Sequence, residues 1–173
     1  MNKHNFAPTI LRAYDIRGIY QDTLTEADAH AIGMAFIATL RQRGHGVTVA
    51  VGRDGRLSSP ALAAALIDGL VQAGGEVRDI GCGPTPMLYF AGVKWQCDGA
   101  IQVTGSHNPP THNGFKMVMN GKSFFGDDIQ QLGQSGAAGV ANGDGGSVTE
   151  TAIFDDYLNR LLQQADAGDL SIV

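Results

Sequence analysis

Apolar and polar positions along this chain switch between two periods, and each switch predicts an element. Ala29, Ile32, Gly33, Phe36 and Leu40 recur at helical spacing behind Thr25, which suits the N-cap of a long helix. Val47 to Val51 is a β-rich run closed by Gly52-Arg53-Asp54-Gly55. The next helix carries Leu62, Ala65, Leu66, Gly69, Leu70 and Ala73 on one face and stops at Gly74-Gly75; Ser59 suits its N-cap and Pro60 its first turn. Glu76 to Ile80 reads as a strand. Thr85-Pro86 repeats the cap-plus-proline device ahead of Met87, Leu88, Phe90 and Ala91, and Gly99 to Val103 is a further strand. Gly114 to Met119 follows it through a loop rather than a helix, so it is expected to run antiparallel at or near an edge. A last helix, about 151–164, carries Ile153, Phe154, Tyr157, Leu158, Leu161 and Leu162.

Strands alternating with helices through short connections require crossovers. The fold class is therefore α/β: a mostly parallel, mixed sheet covered by helices on both faces. The stretch GQSGAAGVANGDGG, 133–146, lacks anchoring side chains and reads as a flexible surface loop. After the last helix Ala167-Gly168-Asp169 is a break, and Leu170 to Val173 looks like the start of a new strand. The expected organisation is one domain over 1–168, with 169–173 opening the next domain of a multi-domain enzyme.

Composition narrows the function. A chain of 173 residues can bury a core without staples, and its net charge of −5 argues against nucleic acid or an anionic membrane surface as partner. No membrane-spanning segment or signal peptide is expected, since the opening MNKHNFAPTILRAYDIRG holds no sufficient apolar stretch. Cys82 and Cys97 match no metal or CxxC pattern and read as reduced thiols of a cytoplasmic protein. Glycine, 24 of 173, is about twice its usual share of ~7%, which suggests tight turns and close backbone approaches.

The chemistry concentrates in Ile101 to Lys116, IQVTGSHNPPTHNGFK. In open α/β sheets reactive groups sit beyond the carboxyl ends of strands, where Thr104 to Pro110 stands. Gly105 permits a sharp turn, and Pro109-Pro110 stiffen its exit. Ser106 on such a turn suits a nucleophile or a phosphorylated residue. His107, Asn108 and backbone N–H groups supply donors, Lys116 supplies a cation, and no carboxylate lies between 99 and 126, so the loop suits an anion. A hydrolase is disfavoured: G-S-H-N is not G-x-S-x-G, and adjacent Ser106 and His107 side chains are expected to point apart. His107 and His112 are poor zinc ligands in a proline-bound loop. Neither G-x-G-x-x-G nor G-x-x-x-x-G-K-[ST] is present.

TGSHNPPTHNGFK closely resembles the phosphoserine loop of the α-D-phosphohexomutases, the phosphomannomutase/phosphoglucomutase family. RAYDIRG at 12–18, VGRDGRLSSP at 51–60 and PTPMLYFA at 84–91 follow the family order, and the likeness runs from about residue 10 to 125. The resemblance implies four domains around one cleft, with this chain the first. It implies that Ser106 carries a phosphoryl group, gives it to a hexose monophosphate of glucose or mannose, and takes back the other phosphoryl from the 1,6-bisphosphate after that sugar turns over. The 1- and 6-phosphates are thereby interconverted. Mg²⁺ is expected to bridge the Ser106 phosphate and an aspartate-rich loop of another domain. By the same resemblance Lys116 is a general acid/base, Arg17 an active-site cation with Tyr14 close by, and His107 and Asn108 hold phosphate or substrate.

A phosphoserine carries roughly −1.5 to −2 charge at neutral pH, so cations are needed around it. A lysine serves as base only if burial or neighbouring cations lower its pKa. Tyr14 is open to a role packing the cleft wall, Arg17 to one of tying its own turn through Asp15. Arg53, Asp54 and Arg56 are open to ligand contact or to a salt-bridged brace under the serine loop. The D-G-D-G-D-R type metal loop is missing, and Asp144 in NGDGG is one carboxylate, too few for a Mg²⁺ cage. Phosphoglucosamine mutase is an alternative substrate reading, and a non-catalytic phosphate-binding module of the same fold is an alternative class.

Overall fold

The structure, a computed structural model, describes residues 1–163. A short 3₁₀ turn, Pro8–Ile10, precedes β1 (Ile16–Ile19), α1 (Glu26–Gln42), β2 (Thr48–Arg53), α2 (Ser59–Gln72), β3 (Glu76–Cys82), α3 (Thr85–Lys94) and β4 (Gly99–Val103). Then come β5 (His112–Met119), β6 (Lys122–Phe124), α4 (Asp127–Ala138), β7 (Ser147–Glu150) and α5 (Phe154–Leu162). One mixed sheet runs β1-β5-β4-β2-β3-β7, with β6 also on β5. Strands β4, β2, β3 and β7 are mutually parallel, while β5 is antiparallel to β4, β1 and β6.

Strand alternation divides the core between the two faces. Val49, Val51, Ile101, Val103, Phe115, Met117 and Met119 point towards α1, α2 and α4. Ala50, Ile80 and Ala100 point towards α3 and Tyr157 of α5. Helix α1 begins where expected: Thr25 accepts from the Asp28 N–H at 3.4 Å, and the Asp28 carboxylate accepts from the Thr25 N–H at 2.8 Å. Helices α1 and α2 cross at near backbone contact, because a Cβ on Gly33 would stand 2.4 Å from the Leu66 carbonyl oxygen and one on Gly69 2.0 Å from that of His30.

Several expectations need correction. Ser58, not Ser59, is the N-cap of α2, and Pro84, not Thr85, that of α3; neither end has a side-chain cap bond. Ser59 is the first residue of the helix, and its hydroxyl donates to the Asp54 carboxylate. β5, by contrast, is antiparallel and near an edge as expected, one strand in, with β1 and β6 on the side that faces away from β4.

Residues 133–146 are not a free loop. Helix α4 extends to Ala138, and Gly133 and Gly136 are buried because the N-terminal segment lies on them. A Cβ there would meet Leu11 at 2.5 Å and Phe6 at 2.7 Å. The following turn is tied as well, with Val140 exchanging backbone bonds with Asn2 and the Gly143 N–H donating to Gln72. In α5, Tyr157 packs on Phe90, whereas Phe154, Leu158, Leu161 and Leu162 face solvent. The strand expected at 170–173 and the boundary at 168/169 lie outside the described residues. No helix among the described residues is long and apolar enough to cross a membrane.

Candidate active site

Parallel pairing of β2 with β4 places Arg53 opposite Val103, so the two strands end side by side. The Asp54 N–H donates to the Val103 carbonyl at 2.9 Å, and the carboxylate of Asp54 comes to rest beneath the loop after β4. Its Oδ1 accepts from the Ser59 hydroxyl at 2.5 Å and the Arg56 N–H at 3.1 Å. Its Oδ2 accepts from the Thr104 hydroxyl at 2.9 Å and the Gly105 N–H at 3.1 Å. Burial pushes the Asp54 pKa up, but the four hydrogen bonds outweigh it and the net shift is downward. The Thr104 oxygen in turn accepts from the Ser106 N–H at 2.9 Å. Ser59 and Ser58 also accept from the fully buried Asn113 amide at 2.9 and 2.8 Å, which joins the start of β5 to the same network.

On this base Ser106 adopts a left-handed φ of 52°, a region that residues with a Cβ rarely enter. The turn lifts its side chain into solvent and breaks the alternation that would separate it from its neighbour. Ser106 Oγ lies 3.3 Å from His107 Nδ1, so the expectation that the two side chains point apart is corrected. One Asn108 amide N–H is used inside the loop, on the Gly105 carbonyl at 3.2 Å.

The cations arrive from the other side of the sheet's lip. Antiparallel β1 and β5 pair Arg17 with Gly114 and Ile16 with Phe115. Continuing that register one step sets Asp15 across from Lys116, and alternation puts Asp15, Arg17 and Lys116 on one face. The Arg17 guanidinium pairs with the Asp15 carboxylate, both buried, and its Nε–H has no partner among the described residues. Lys116 Nζ stands 3.7 Å from the same carboxylate. Lys116 thus shares the Asp15 carboxylate with Arg17.

Arg12, Tyr14, Asp15, Arg17, Ser106, His107, Asn108 and Lys116 line one open concavity of ≈350 Å³. All six residues singled out from the sequence are therefore brought together. Tyr14 lines the concavity at its rim, 82% exposed. Arg53 leaves the site to bridge Asp79 on β3 at 3.3 Å, whereas Asp54 and Arg56 form the brace. Sequence reasoning gave no role to Arg12, Thr104 or Asn113. Arg12 and Asn113 lie within the motifs already quoted, but which way they face depends on how β1 and β5 pair.

A family model described as phosphoglucomutase/phosphomannomutase, alpha/beta/alpha domain I, matches residues 8–139. The chain belongs to this family. Among curated relatives, a phosphoglucomutase of Neisseria meningitidis is 44% identical over 91% of this chain and 34% of its own length. A phosphomannomutase/phosphoglucomutase of Pseudomonas aeruginosa is 43% identical over 90% of this chain and 34% of its own length. A solved phosphoglucomutase/phosphomannomutase family protein of Burkholderia thailandensis superposes with a TM-score of 0.85 at 42% identity, covering 92% of this chain and 36% of that one. The phosphoglucomutase/phosphomannomutase domain I thus spans about a third of the length of the relatives it matches. Within it no group of three or more His, Cys, Asp or Glu side chains among the described residues is placed to hold a metal. Asp15 and Asp54 are already taken by cations and donors, so the residues present do not by themselves fit a Mg²⁺ site.

Proposed function

We propose that this chain is the phosphoserine-bearing domain of a cytoplasmic phosphohexomutase that interconverts the 1- and 6-phosphates of glucose or mannose. The observation that carries the reading is Ser106 Oγ, raised by a left-handed turn into a concavity that also holds Arg12, Arg17 and Lys116. Two guanidinium groups, Arg12 and Arg17, against the one carboxylate of Asp15 leave an excess positive charge suited to the phosphoserine dianion. Phosphoryl transfer asks chiefly for such positioning and charge compensation.

In the forward step a sugar hydroxyl oxygen bonds to phosphorus as the Ser106 Oγ–P bond breaks. Lys116, entering as the neutral amine, takes the hydroxyl proton, the serine oxygen leaves with the bonding pair and receives that proton from Lys116, and the product is a hexose 1,6-bisphosphate. After the sugar reverses its ends, Ser106 Oγ attacks the other phosphorus and the second monophosphate departs. Arg17 orients the phosphate through the N–H groups that Asp15 does not use. His107 and Asn108 hold phosphate or substrate from the loop side, and Tyr14 does so from the rim. For Mg²⁺, this domain would contribute the Ser106 phosphate, with the other ligands from elsewhere in the polypeptide; the ion would neutralise phosphate charge.

The test is peptide mass spectrometry of the parent polypeptide after incubation with glucose 1,6-bisphosphate and Mg²⁺. Phosphate is expected on Ser106, and Ser106→Ala is expected to lose both label and nearly all mutase activity. Label on another residue refutes the reading.

A further inference from the structure

We infer that Arg56, which lies outside the concavity, is a positioning residue for phosphoryl transfer at Ser106: it holds the carbonyl groups of the serine loop turned away from the phosphate. The inference rests on Ser106 being the phosphoryl carrier. The Arg56 guanidinium lies under the loop and donates to four of its carbonyls. Nη1 reaches Pro109 at 2.7 Å and His112 at 3.0 Å; Nη2 reaches Ser106 at 3.1 Å and Asn108 at 2.7 Å. Nε stands 3.4 Å from Asp54 Oδ2. Four of the five N–H donors of the side chain thereby bond loop carbonyls, and the fifth nitrogen stands in ion-pair range of Asp54.

The charge consequence follows from the geometry. A turn of seven residues, Ser106 to His112, carries as many carbonyl dipoles, and any that faced a phosphoserine dianion would repel it. Four are drawn to one cation beneath the loop, which leaves Ser106, His107 and Asn108 to present their side chains above. The bond to the Ser106 carbonyl also fixes the far side of the residue that holds the left-handed φ. Gly105 makes the arrangement possible, since a Cβ there would stand 2.2 Å from Arg56 Cζ. Two prolines in the loop cannot donate N–H groups, and its own backbone reaches only one of these carbonyls, that of Pro109, through the His112 N–H.

Arg56→Lys separates geometry from charge: it keeps the cation but lacks the planar fork that spans four carbonyls. The parent polypeptide is phosphorylated with ³²P-labelled glucose 1,6-bisphosphate. Single-turnover transfer to glucose 1-phosphate is then timed per mole of labelled Ser106, so that misfolded protein does not count. The expected rate falls about 100-fold, the effect of a small misplacement at the reacting centre, while KM for the sugar phosphate changes less than about threefold. The ³¹P resonance of the phosphoserine is expected to move. A role confined to stability lowers only the melting midpoint, and an unchanged per-serine rate with an unmoved resonance overturns the inference. If Arg56→Lys does not fold, Arg56→Gln is read in the same way. Failure of the unmutated protein to label Ser106 sinks the phosphoserine reading, and this inference with it; normal labelling with normal transfer in the variant sinks this inference alone.

Discussion

Replacing Asp54 by asparagine changes one oxygen for an NH₂ group inside a network made wholly of donors. In this chain Oδ1 faces Ser59 Oγ and the Arg56 N–H, and Oδ2 faces Thr104 Oγ1 and the Gly105 N–H. The hydroxyls can rotate to become acceptors, but the two backbone N–H groups cannot. Whichever way the new amide is turned, its NH₂ meets a backbone donor. A hydrogen bond to a charged acceptor contributes about 1.5–3 kcal/mol, and a donor stranded in a buried place costs about 1–3 kcal/mol.

Partial solvent access at Asp54 reduces the sum, and we expect about 2–4 kcal/mol. With a urea slope of about 2 kcal/mol/M, the unfolding midpoint followed by circular dichroism falls by about 1–2 M. The pH dependence has a fixed sign. The folded pKa of Asp54 is depressed, so its contribution is fully present above the unfolded value of about 3.9 and is lost as pH falls through the folded value. The gap between the two proteins should therefore be constant near neutrality and close in acid, below about pH 3.9. A midpoint within about 0.3 M of the unmutated chain at pH 7 would refute the reasoning.

Other substitutions probe the frame and the limits of the site. Gly69→Ala drives a methyl to within 2.0 Å of the His30 carbonyl oxygen, and the overpacking should cost about 1–3 kcal/mol, seen as a loss of roughly 3–10 °C in thermal melting. Asp144 is exposed on the turn after α4, so Asp144→Ala should leave stability within about 0.5 kcal/mol and the mutase activity of the parent protein intact. A large activity loss there would mean that the turn belongs to the site. A polypeptide of these 173 residues should show negligible conversion of glucose 1-phosphate or mannose 1-phosphate in a coupled assay, because no metal cluster is assembled among its described residues. Robust turnover would contradict this.

Local pattern was enough for most elements. Helical periodicity located α1, α2 and α3, and an apolar run bounded by Gly located β4 to the residue. It failed where a partner distant in sequence decides the outcome. Gly133 and Gly136 look like loop residues until Phe6 and Leu11 are seen lying on them. The three-residue β6 and the four-residue β1 and β7 are too short for their own periodicity to declare them and exist through their neighbours in the sheet.

The serine loop divides in the same way. Gly105, Ser106, the two prolines and Lys116 announce an anion site by composition alone, because turn chemistry and charge are properties of adjacent residues. That stretch contains no carboxylate, and in the folded chain its cations and its backbone are nonetheless governed by two: Asp15 opposite Lys116 and Asp54 beneath Gly105. The pairing of β1 with β5 brings Asp15 there across about a hundred residues of sequence, and that of β2 with β4 brings Asp54 across about fifty. Composition thus determined that the loop should attract a phosphate. Strand register, which depends on contacts between segments far apart in the chain, decided which charges would face it.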